Sequence, residues 1–92
     1  MHRIHFSRAS RKSLKKLLKS GRFPELLVAK VINDLASGKT LDPKYYNHQL
    51  EGEHASHFEC HIKSDLLLIY EIDEKENKLT IIDIGSHSEL FE

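Results

Sequence analysis

The chain has 92 residues, 39% of them apolar and 30% charged, with 14 Lys/Arg balancing 14 Asp/Glu. That composition predicts one domain spanning 1–92 with a modest core, and it excludes wholesale disorder. No stretch approaches the roughly 20 apolar residues that span a bilayer, and the N-terminus "MHRIHFSRAS" carries no apolar secretion signal. The only cysteine, Cys60, has no partner for an internal disulfide, so a reducing, cytoplasmic location is expected.

The neutral total hides a strong asymmetry. Residues 1–46 carry 11 basic and 3 acidic side chains, and residues 47–92 carry 3 and 11, giving halves of +8 and −8. Between Arg3 and Arg22 lie eight basic residues and no acid. Clustered cations of this kind suit either a solvated face or a surface for phosphate backbones.

Taken in chain order, "RIHF" places Ile4 and Phe6 at period two and predicts a first strand. Ser7 suits the N-cap of a helix over "RASRKSLKKLLKSG", with Leu14, Leu17 and Leu18 on one face. Arg8, Arg11, Lys12, Lys15, Lys16 and Lys19 cover much of the rest, and Gly21 ends it. Pro24 opens a second helix whose Leu27, Val28, Val31, Ile32 and Leu35 follow the i, i+3, i+4 pattern, closed by Gly38. From Lys39 to about Ser56 no period holds, which predicts a long loop, and long loops in small domains are often functional.

Strand patterns follow. "HFECHI" alternates Phe58, Cys60 and Ile62 with His57, Glu59 and His61, predicting one apolar and one open polar face. "KSD" reads as a tight turn, "LLLIYEI" as a central strand covered on both sides, "DEKEN" as a hairpin loop and "KLTIIDI" as a last strand. The order β-α-α-β-β-β predicts an α+β fold: a four-stranded antiparallel sheet with a helical hairpin on one face.

The open face of "HFECHI" would present His57, Glu59 and His61, with Asp65 at its rim, an arrangement suited to general acid–base chemistry. Five of the seven histidines fall between His48 and His87. A zinc site through His54, His57, His61 and Cys60 is disfavoured, because alternation turns Cys60 away from the histidines. Alternation also buries the Cys60 thiol, and a buried thiol is a poor nucleophile.

Several short motifs recur together. They are His48-Gln49-Leu50-Glu51-Gly52, Glu59-Cys60-His61, Asp65 before Leu68-Ile69-Tyr70, and Gly85-Ser86-His87-Ser88-Glu89-Leu90-Phe91. In this set the chain resembles the YafQ-like branch of the RelE/ParE-type bacterial toxins, over essentially its whole length. The resemblance implies a RelE-like fold and the toxin of a type II toxin–antitoxin system. It also implies an mRNA interferase: a ribosome-dependent endoribonuclease that cuts mRNA in the ribosomal A site without a metal or other cofactor.

Carried over by position, the catalytic set would be His48, His61, Asp65 and His87, with Glu59 in support. His87 is the expected general acid and Asp65 the expected base, exchanging duties with His48. His61 would neutralise the phosphate, and Phe91 would stack on an unpaired base. Arg8, Arg11, Lys12, Lys15, Lys16 and Lys19, with Arg22, Lys30, Lys39 and Lys44, would hold ribosomal RNA. Implied partners are the 70S ribosome, mRNA and a small DNA-binding antitoxin, in a toxin–antitoxin heterotetramer, with no membrane. Two other readings remain, a gyrase poison of the ParE kind and a decayed ribosome- or RNA-binding protein. Gyrase poisons of this superfamily lack the histidine set.

Overall fold

Strand β1 (Arg3–Phe6) leads into helix α1 (Arg8–Lys19) and helix α2 (Glu25–Ala36). A 3₁₀ turn at Pro43–Tyr45 precedes strands β2 (His48–Gln49), β3 (Phe58–Lys63), β4 (Leu66–Asp73) and β5 (Lys78–Gly85), and a short helix α3 (His87–Phe91) closes the fold. This computed structural model describes residues 1–52 and 56–91. No helix among the described residues is long and apolar enough to cross a membrane.

Local sequence explains most boundaries. Ser7 Oγ accepts the Ser10 N–H at 3.0 Å, which caps α1. Gly21 and Gly38 adopt φ of +74° and +77°, the left-handed geometry that stops a helix. Val28, Val31, Ile32 and Leu35 of α2 pack on Cys60, Leu68, Tyr70, Leu79, Ile81 and Ile84 to form the core. Leu68 is wholly buried, so truncation to Ala would cost about 2–5 kcal/mol. Leu18, placed by its spacing with Leu14 and Leu17, is instead 52% exposed; it has turned off the narrow buried stripe of α1.

The sheet corrects the expectation of four antiparallel strands. It has five, in the order β1-β5-β4-β3-β2, and it is mixed: β1 runs parallel to β5. A period-two pattern identifies a strand but not its partner. Here the chain between the parallel neighbours runs through both helices and strands β2 to β4 before β5 returns beside β1. The extra strand, β2, is two residues within the expected loop, too short to carry any period. It pairs antiparallel with β3, and β3-β4-β5 form an antiparallel meander.

Candidate active site

The site grows from one face of β3. Pairing with β2 sets His48 opposite Glu59, and pairing with β4 sets His61 opposite Leu67, which in turn faces Gly85 of β5. With strands about 4.8 Å apart, the His61 and Gly85 backbones lie roughly 10 Å from each other on either side of Leu67.

Glu59 differs from the open-face expectation. It is 4% exposed, because β2 covers it and two imidazoles close over its carboxylate. His61 Nε2 lies 3.1 Å and His48 Nε2 3.4 Å from the same oxygen, Oε1. A carboxylate this dry needs donors or positive charge beside it, and the two rings supply them. His48 Nδ1 sits 2.8 Å from the Tyr46 carbonyl oxygen. Both nitrogens of His48 therefore face oxygens, one of a backbone carbonyl and one of the Glu59 carboxylate.

Asp65 occupies the two-residue turn between β3 and β4, after Ser64 in a left-handed conformation at φ +46°. Its Oδ1 accepts the backbone N–H of His87 at 3.1 Å. The carboxylate expected to act as a base thus also secures the first turn of α3. That helix carries a reciprocal capping box: Ser86 N–H donates to Glu89 Oε1 at 2.9 Å, and Glu89 N–H to Ser86 Oγ at 3.2 Å. Lys16 of α1 adds a 3.1 Å ion pair to Glu89 Oε2. The Ser86 amide hydrogen bond, followed by Lys16, holds the Glu89 carboxyl down to about 2.

Within α3, His87 and Phe91 are one turn apart, with ring centroids 5.1 Å apart. Phe91 is 39% exposed and borders a cavity of about 140 Å³ with Leu50, His57, Ile69 and Leu90. The residues expected at the site therefore form two groups flanking Leu67: His48–Glu59–His61, and Asp65–His87–Phe91.

His57 does not join the Glu59 pair; its Nε2 is 3.8 Å from Glu71 Oε2. His54 and Glu53 lie outside the described residues. Among the described residues, no three His, Cys, Asp or Glu side chains converge as metal ligands. Cys60 is fully buried, and burial, with Glu59 beside it, pushes its thiol up to about 12.

Arg8, Arg11, Lys12, Lys15, Lys16 and Lys19 are all exposed along α1, although Lys16 is paired as described. The wider cationic cluster is partly engaged elsewhere. Lys30 and Lys39 approach Asp34 at 3.0 and 3.8 Å, and the hydrogen bond from Lys30 keeps the Asp34 carboxyl below the usual range. Lys44 sits 5.3 Å over the Tyr45 ring. The acidic turn containing Glu74 and Glu76 lies at the opposite end of β4 from Asp65, roughly 25 Å away along an eight-residue strand.

Two features of the site carry no periodic signal. One is the capping box, whose S-x-x-E signature is nonetheless visible at Ser86–Glu89. The other is Tyr46, whose ring lies 4.7 Å from His48 and 5.4 Å from His61; nothing in its local sequence marks it.

Residues 2–92 match the model of a family described as the bacterial toxin of the type II toxin–antitoxin system, YafQ. Among solved structures, a metal-bound toxin from Helicobacter pylori is 46% identical, with a TM-score of 0.92 over 99% of this chain and all of that one. YafQ from Escherichia coli shares the fold at 22% identity, with a TM-score of 0.89 over the whole of both chains. The E. coli DinJ–YafQ complex matches at 22% identity and a TM-score of 0.86, also over both whole chains. None of the curated protein sequences is a match. The chain belongs to the YafQ family of bacterial toxins.

Proposed function

We propose that this YafQ-family toxin is an endoribonuclease that cleaves mRNA on the ribosome by acid–base chemistry carried by its own side chains. The observation that carries the reading is the pairing of two flanking groups: two imidazoles on one buried carboxylate, and a third imidazole on a helix fastened to Asp65. Cleavage through the 2′-hydroxyl needs a base for that proton, an acid for the departing 5′-oxygen, and positive charge near the phosphate. His87 serves as the acid, with its ring exposed and its backbone anchored. Asp65 and His48 are the candidate bases. His61, backed by Glu59, offers positive charge to the phosphate, and Phe91 offers a face to a base. The α1 cations hold ribosomal RNA through its phosphates.

The family membership supports silencing by an antitoxin, and the E. coli relative has been solved with DinJ. In this reading the antitoxin covers the toxin until it is removed, and the two assemble as a heterotetramer. The H. pylori relative is metal-bound; the proposed cleavage draws only on this chain's own side chains.

Cleavage of a reporter mRNA in a translating extract tests the proposal. Gyrase supercoiling assayed in parallel separates the rival reading: loss of supercoiling without mRNA cleavage would refute the nuclease.

A further inference from the structure

Tyr46 has no part in the chemistry just described, yet its placement is unusual. It holds a left-handed backbone, φ 46° and ψ 51°, a conformation that side chains other than glycine and asparagine rarely adopt. Burial does not compensate: the residue is 65% exposed. The backbone is nonetheless fixed, since the Tyr46 N–H donates to the Pro43 carbonyl at 3.0 Å and the turn is capped by Asp42. Strain kept without a core to stabilise it points to function.

The ring stands against both histidines of the Glu59 group. It also borders a surface cleft of about 540 Å³ whose lining is mixed, with Asp42 and Asn47 beside Leu41, Phe58, Tyr70 and Ile72. Asn47 Oδ1 accepts the Tyr70 hydroxyl at 2.7 Å, so its amide nitrogen remains as a donor. An exposed aromatic side chain on a fixed backbone, set against two imidazoles and bordering a mixed apolar and polar cleft, has the chemistry of a nucleobase platform.

We propose that Tyr46 is a stacking platform for an unpaired base of the mRNA, on the His48–His61 side of the scissile phosphate, opposite Phe91. The proposal rests on the nuclease reading for its substrate. Two aromatic–histidine pairs, Tyr46 with His48 and Phe91 with His87, then grip the nucleotides on either side of the bond to be cut. Tyr46 would set preference at the flanking position, since stacking strength differs among bases.

The test compares the wild-type chain with Tyr46→Phe and Tyr46→Leu. Binding is measured to a short 2′-O-methyl RNA, which cannot be cleaved, and cleavage positions are mapped in a translating extract. Tyr46→Phe should match wild type within about twofold in binding, whereas Tyr46→Leu should bind about tenfold more weakly. The Leu variant should also redistribute its cleavage positions. Equal binding and identical positions for Tyr46→Leu would overturn the proposal, as would absence of binding by the wild-type chain. If the wild type binds the oligomer and Tyr46→Leu weakens it, but no mRNA is cut, the platform stands and the nuclease reading falls.

Discussion

Asp65 accepts the backbone N–H of His87 through Oδ1 at 3.1 Å, joining residues 22 apart in the chain. The carboxylate acts as a helix cap supplied from a neighbouring turn, so one side chain both aims α3 and remains available to a substrate. Losing such a cap costs about 0.5–2 kcal/mol. Asp65→Ala should speed hydrogen exchange at the His87 amide and reduce cleavage. Asp65→Asn keeps an oxygen acceptor, so exchange should stay slow while cleavage falls about 100-fold, the amount a general base supplies. Full activity in the Asn variant would leave Asp65 as an anchor and nothing more.

Glu59 is a separate case because its carboxylate is buried under two imidazoles. Glu59→Ala leaves both rings without their shared acceptor and should destabilise the fold by about 1–3 kcal/mol, read from urea unfolding. Glu59→Gln keeps the volume but removes the charge, and should recover most of that stability while cleavage remains impaired. Equal activity of the Gln variant and wild type would show that the charge has no catalytic role.

The tail was the part of the fold most legible in sequence and most easily misread. The motif from Gly85 to Phe91 could be matched to a family, and its capping box was present in the letters, yet a chain end reads as frayed unless its tethers are known. Those tethers, Asp65 and Lys16, are distant in sequence, and no local pattern reports them. Periodicity identified α2, β3 and β5, each of which buries a regular stripe, and α1 through its half-buried Leu14 and Leu17, while β4 was marked by a continuous apolar run. The parallel pairing of β1 and the two-residue β2 stayed hidden, since both depend on long-range partners. Alternation correctly put Glu59 and His61 on one face, but β2 covers Glu59 while His61 stays partly exposed. Tyr46 carried no sequence signal, because what distinguishes it is its backbone angle and its neighbours.

Glu89 makes α3 sensitive to acid. Its carboxyl is held at about 2 in the fold against 4.5 ordinarily. A carboxylate lowered on folding contributes its stabilisation above the unfolded value and loses it as pH falls through the folded one. The hold on α3 should be complete above about pH 4.5 and weaken progressively toward pH 2, as followed by His87 and Phe91 resonances. Glu89→Gln should abolish this transition; an unchanged acid profile would exclude Glu89 as its origin.

The basic face of α1 should bind through counterion release. Replacing Lys12, Lys15 and Lys19 together should weaken ribosome binding and flatten its salt dependence. The log–log slope should fall by roughly 0.7–0.9 for each phosphate no longer neutralised. An unaltered slope would move the RNA-binding face off α1.

The most direct measurement is mRNA cleavage in a translating extract by the wild-type chain and by His87→Ala, with ribosome association recorded for both. Removing a general acid should lower cleavage by about 10²–10⁴-fold while His87→Ala still sediments with ribosomes. A His87→Ala protein that cuts as well as wild type, or a wild-type protein that leaves the message intact, would contradict the account.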